Sequence, residues 1–149
     1  MSLRSPRPHR FAVAAVAAAA LALGCAREPR PQQLRYTSAS YYFTVEADQL
    51  PPPAREPVRY TVFIRDRETR QPIETGDGQI YSSNRDGAQT WDGLVKGAAV
   101  GTWHGTLNFV TSGQWAVAIR FRRDSTARLE KVEWMQDVLG AREPGTETP

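Results

Sequence analysis

From Thr102 to Arg122 the chain alternates. Trp103, Leu107 and Phe109 share one side of an extended segment, with Gly105 among them, and His104, Thr106 and Asn108 occupy the other. Beyond Ser112-Gly113, Trp115, Val117, Ile119 and Phe121 alternate with Ala116, Ala118, Arg120 and Arg122. A helix, turning every ~3.6 residues, would scatter these apolar groups around its circumference; a strand collects them on one face. The segment is therefore confined to half-buried strands, and Ser112-Gly113 reads as the turn of a hairpin that pairs them.

The same period recurs. Val58, Tyr60, Val62 and Ile64 alternate with Arg59, Thr61, Phe63 and Arg65, and Tyr41-Tyr42-Phe43-Thr44-Val45 is an aromatic and β-branched run. Gln79 to Ser83 reads as a short strand between Asp-Gly turns. Residues 125–139 carry two patterns. Ser125 is a candidate helix cap, with Leu129, Val132, Met135 and Leu139 on one side and Gly140 as a stop. Val132, Trp134, Gln136 and Val138 instead suit a last strand, which is preferred because it completes a sheet of short members. About six to eight strands separated by turns predict an all-β fold, an immunoglobulin-like antiparallel β-sandwich over residues 41–139. Trp103, Leu107, Phe109, Trp115, Val117, Ile119 and Phe121 are its expected core.

Ahead of this domain the composition changes. Arg4, Arg7 and Arg10 precede thirteen apolar residues, 11–23, of which ten are Ala or Leu. A spanning helix needs about 20, so this is a signal-peptide core. From Cys25 onward 16 basic residues face 16 acidic ones, so the mature chain is neutral and the excess of +3 belongs to the leader. A neutral body gives no reason to expect nucleic acid as a partner.

Leu21-Ala22-Leu23-Gly24-Cys25 resembles the lipobox of bacterial lipoproteins, with Ala22 and Leu23 in exchanged places. The resemblance implies a signal peptide, residues 1–24, cleaved before Cys25, and acylation of that residue. Each buried methylene contributes about 0.8 kcal/mol, so two or three acyl chains hold a protein to a bilayer almost permanently. Ala26, where lipoproteins kept at the inner membrane carry Asp, implies the outer membrane and a domain facing the periplasm. Residues 25–40, with Pro29, Pro31, Gln32 and Gln33, read as a flexible tether, and residues 140–149 as a disordered tail.

One strand, the turn Gln71-Pro72-Ile73, a Gly-rich stretch, then Gly101-Thr102-Trp103-His104-Gly105-Thr106-Leu107 and Ser112-Gly113-Gln114-Trp115-Ala116-Val117 resemble the FixH-like and YtkA-like domains over residues 57–122. The resemblance implies an envelope sandwich. Some of those relatives are associated with metal handling or oxidase assembly, so the resemblance leaves a metal-handling accessory protein as an alternative function.

Side chains for chemistry are scarce. His104 is the single imidazole after the leader, and His104, Met135 and Cys25 are the whole supply of soft metal ligands. No nucleophile–base pair, cofactor loop or metal set is expected, so catalytic, cofactor-binding and metal residues are all read as none. Asp77-Gly78, Asp86-Gly87 and Asp92-Gly93 read first as turns. An alternative makes those carboxylates the site of a calcium-dependent or carboxylate enzyme. Arg outnumbers Lys 17 to 2; Arg120, Arg122 and Arg123 are expected to face Glu130 and Glu133 across strands, or else an acidic ligand. Of the four tryptophans, Trp91 lies in a presumed loop, where it either plugs one end of the sandwich or stands exposed as the candidate partner contact. The expected function is a membrane-anchored, non-enzymatic binding or assembly module whose partner is an envelope protein or glycan.

Overall fold

The computed structural model describes residues 32–142. The signal peptide, Cys25 and most of the tail lie outside the described residues. Nine strands run in order: β1 (Leu34–Thr37), β2 (Tyr41–Ala47), β3 (Pro57–Asp66), β4 (Asp77–Asn84), β5 (Gln89–Gly93), β6 (Val95–Lys96), β7 (Thr102–Asn108), β8 (Gly113–Arg122) and β9 (Glu130–Val138). All pair antiparallel, in one sheet of order β1-β2-β3-β7-β6 and another of order β5-β4-β8-β9. The chain is the β-sandwich that its alternation predicts, and no helix occurs among the described residues.

The inward faces meet through aromatic side chains from both sheets. Phe121 of β8 packs edge-to-face with Tyr41 at 5.4 Å and with Trp103 at 5.2 Å, between ring centroids. Phe109 packs edge-on against Trp115 at 5.3 Å. Edge-to-face contacts of this kind add about 0.5–1.5 kcal/mol to what burial alone contributes. All seven expected core residues are buried. Residues 130–138 form a strand, with Val132, Trp134, Gln136 and Val138 inward and Met135 exposed.

Three expectations are corrected. β7 and β8 are not a hairpin: β7 pairs with β3 and β6, and β8 with β4 and β9, so residues 109–112 cross from one sheet to the other. Alternation dictates which side of a strand is buried but not which strand lies beside it. Here Phe109 and Trp115 meet across the interior instead of along one sheet. The sandwich also begins earlier than residue 41, since part of the segment read as a tether is β1. Tyr36 stacks on Trp134 at 5.0 Å and an interplanar angle of 14°, and this contact with β9 accounts for the order of so short a strand. Finally, Asp77-Gly78 and Asp92-Gly93 lie within strands, leaving Asp86-Gly87 as a turn, where Gly87 takes φ +83°. At Gly78 a Cβ would stand 2.8 Å from the Phe121 ring and 2.7 Å from the Arg120 carbonyl oxygen. That glycine permits close packing rather than a turn.

Candidate functional site

β5 is an edge strand, and its sequence determines which way it faces. Thr90 and Asp92 reach to the other sheet: Thr90 Oγ1 accepts the Asn108 amide at 3.2 Å, and Asp92 Oδ2 accepts the Thr106 amide at 2.8 Å. Trp91, between them, must therefore face outward by the alternation of a strand. It is 68% exposed. The expected loop position for Trp91 is thus corrected, and of its two readings, a plug at one end of the sandwich or an exposed surface, the plug is excluded.

In register beside it on β4 stands Tyr81, and on β8 the small Ala118 lies next in line. The Arg120 guanidinium covers the Tyr81 ring at 4.6 Å from its centroid, a cation–π contact that holds both groups in place. Gln79, Ser83 and Gln89 surround these rings with amides and a hydroxyl. Together they line a shallow cavity of about 300 Å³. Two other cations on this face have carboxylate partners, Arg122 with Asp77 at 3.0 Å and Lys131 with Glu133 at 2.6 Å. The site offers an aromatic platform, neutral hydrogen-bonding groups and one guanidinium.

The arginine partners differ from expectation. Arg122 pairs with Asp77 and Arg123 with Asp66, while Glu130 accepts the Ser40 amide at 2.9 Å. Neither Glu130 nor Glu133 receives Arg120, because Arg120 stands opposite Lys131 in the register.

The three aspartates do not converge. Asp77 and Asp86 flank β4 at opposite ends, roughly 25 Å of strand apart. Asp92 is engaged with the Thr106 amide. Among the described residues no three His, Cys, Asp or Glu side chains gather as a metal site. His104 and Met135 point from the outer faces of different sheets and cannot share an ion. His104 Nδ1 lies 3.2 Å from Thr61 Oγ1; burial, then the charge of Arg59, lowers its pKa, so it stays neutral at pH 7.

No protein-family model matches the chain, and no curated protein matches it. Two solved structures do, both of FetP from uropathogenic Escherichia coli strain F11. A copper-bound variant is 15% identical, with a TM-score of 0.49 over 80% of this chain and 98% of that one. The protein as isolated, expressed in the periplasm, is 15% identical with a TM-score of 0.49 over 75% of this chain and 97% of that one.

Proposed function

We propose that the protein is an envelope lipoprotein, anchored through Cys25 at the outer membrane, whose sandwich is a non-enzymatic module that binds glycan on the Trp91–Tyr81 platform. The observation that carries the reading is an indole 68% exposed beside a tyrosine held by a guanidinium. Rings so placed stack on the C–H face of a sugar, while Gln79, Gln89 and Arg120 reach its hydroxyls. Catalysis is not part of the reading. His104 stands on the other sheet's outer face, and the Ser82 hydroxyl is spent on the Ala116 carbonyl at 2.9 Å.

The anchor and the platform are tested separately. Cells fed a labelled fatty acid should label the wild type and not Cys25→Ser; equal labelling overturns the anchor. Retention of the chain on envelope glycan should fall by about 2 kcal/mol, roughly thirtyfold, in Trp91→Ala. Unchanged retention overturns the platform. Loss of a co-purifying envelope protein instead, with glycan binding intact, would assign the edge of β5 to strand addition by a protein partner.

A further inference from the structure

The outer face of the other sheet has a different chemistry. Arg35 on β1, Arg59 and Arg65 on β3, and Arg70 from the turn after β3 stand exposed on or beside it. None of the four lies within ion-pair distance of a carboxylate among the described residues. Of the carboxylates beside these arginines, Glu46 accepts the Gln33 side-chain amide at 2.6 Å and Asp48 Oδ1 accepts the Arg59 backbone amide at 3.1 Å. Arg35, Arg65 and Arg70 surround Tyr42 and Phe63 along a groove of about 730 Å³.

Arg70 is held there deliberately. Its φ is +62°, a left-handed conformation that costs a side-chain residue more than glycine. Its amide donates to the Asp66 carbonyl at 3.0 Å, and its guanidinium lies 4.4 Å from the Tyr42 centroid. The turn itself is built by Asp66 Oδ1, which accepts the amides of Glu68 and Thr69 at 2.9 and 3.0 Å.

We infer that this face docks on the phosphate headgroups of the bilayer surface beside the anchor. The choice of occupant rests on the anchor proposed above, for a reason of chain length. Gln33 lies eight residue steps beyond Cys25, and even fully extended these span about 28 Å at most. β1, which carries Arg35, is therefore the strand that the anchor keeps nearest the membrane. Unpaired guanidinium groups match phosphate in charge and geometry. Tyr42 and Phe63 supply the aromatic groups that sit well at a headgroup interface. Because the two sheets face opposite ways, docking one would turn the Trp91 platform away from the bilayer.

The test uses the chain from Ala26, whose core is complete between Leu34 and Val138, so that acylation plays no part. It should sediment with vesicles containing phosphatidylglycerol at low salt and not with phosphatidylcholine alone. Each arginine near the surface contributes about fivefold, so Arg35→Gln/Arg65→Gln/Arg70→Gln should weaken binding about a hundredfold, while Arg85→Gln leaves it unchanged. Equal binding to neutral vesicles, or a triple variant that binds like the wild type, overturns the inference. So does capture by a soluble acidic polysaccharide without vesicle binding, which would make the face a glycan site. Because the fatty-acid labelling of Cys25 is read on the full chain, failure of the anchor and failure of the docking face are distinguishable.

Discussion

The two outer faces of the sandwich both carry arginines and differ in how those arginines are partnered. On the face of β5-β4-β8-β9, Arg122 and Lys131 have carboxylate partners at hydrogen-bonding distance, and Arg120 rests on Tyr81. On the face of β1-β2-β3-β7-β6, Arg35, Arg59, Arg65 and Arg70 have no such partner among the described residues. The overall charge from Cys25 onward is zero, so total charge conceals a surface divided between a neutral platform and a cationic groove. The lesson is that binding chemistry depends on how charges are paired across strands, and neutrality of the whole does not exclude attraction at one face.

The largest effect would remove the comparison altogether. Trp115, fully buried between the sheets, should cost about 3–5 kcal/mol when truncated to Ala, read by chemical denaturation. Both faces should then lose binding together. Trp91→Ala sharpens the contrast instead: it should change folding stability by less than about 0.5 kcal/mol, as exposed substitutions do, while glycan retention falls about thirtyfold and vesicle binding is untouched. A matching loss of stability would return Trp91 to a structural role.

Arg70→Gly separates strain from function on the other face. Relief of the left-handed conformation should raise stability by about 1 kcal/mol, measured as a higher Tm, although vesicle binding weakens. A fall in stability would mean that the contact with Tyr42 outweighs the strain. The smallest effect depends on pH. The Thr69 amide first, then the Arg123 guanidinium, hold the Asp66 carboxyl at about 2, below its ordinary 3.8. A lowered pKa stabilises the fold above about pH 4 and loses that contribution as pH falls through about 2. Asp66→Asn should therefore lower Tm at pH 7, with the gap to the wild type closing as pH falls from about 4 to about 2. A constant gap across that window would show that hydrogen bonding alone carries the effect.

How much of this was legible in advance varies by element. The period-two pattern of Val58–Ile64 and Trp115–Phe121 assigned the inward residues correctly, because that assignment needs only local geometry and a water-facing side; Ala118, on the outward side of β8, is nonetheless buried. Trp91 stood out as a non-core tryptophan, but its place on a strand did not, since Thr90 and Asp92 are held by amides of β7 fourteen or more residues away. The cationic groove was not legible. Arg35 lay in a segment whose two apolar positions, Leu34 and Tyr36, are too few to show a period. Arg70 owes its position to the turn organised by Asp66.

What the sequence determined by itself is the class of structure: strands and their inward residues. These follow from the spacing of apolar groups relative to water, which each strand carries independently of its neighbours. Which strands pair was settled by tertiary packing. Trp103 and Phe121, or Phe109 and Trp115, satisfy burial equally within one sheet or across two, and volume-filling contact between faces selects the second. That choice sends β7 and β8 to different sheets. With it go the pairing of Arg122 with Asp77, the freedom of Arg65, and thus the chemistry that each outer face presents.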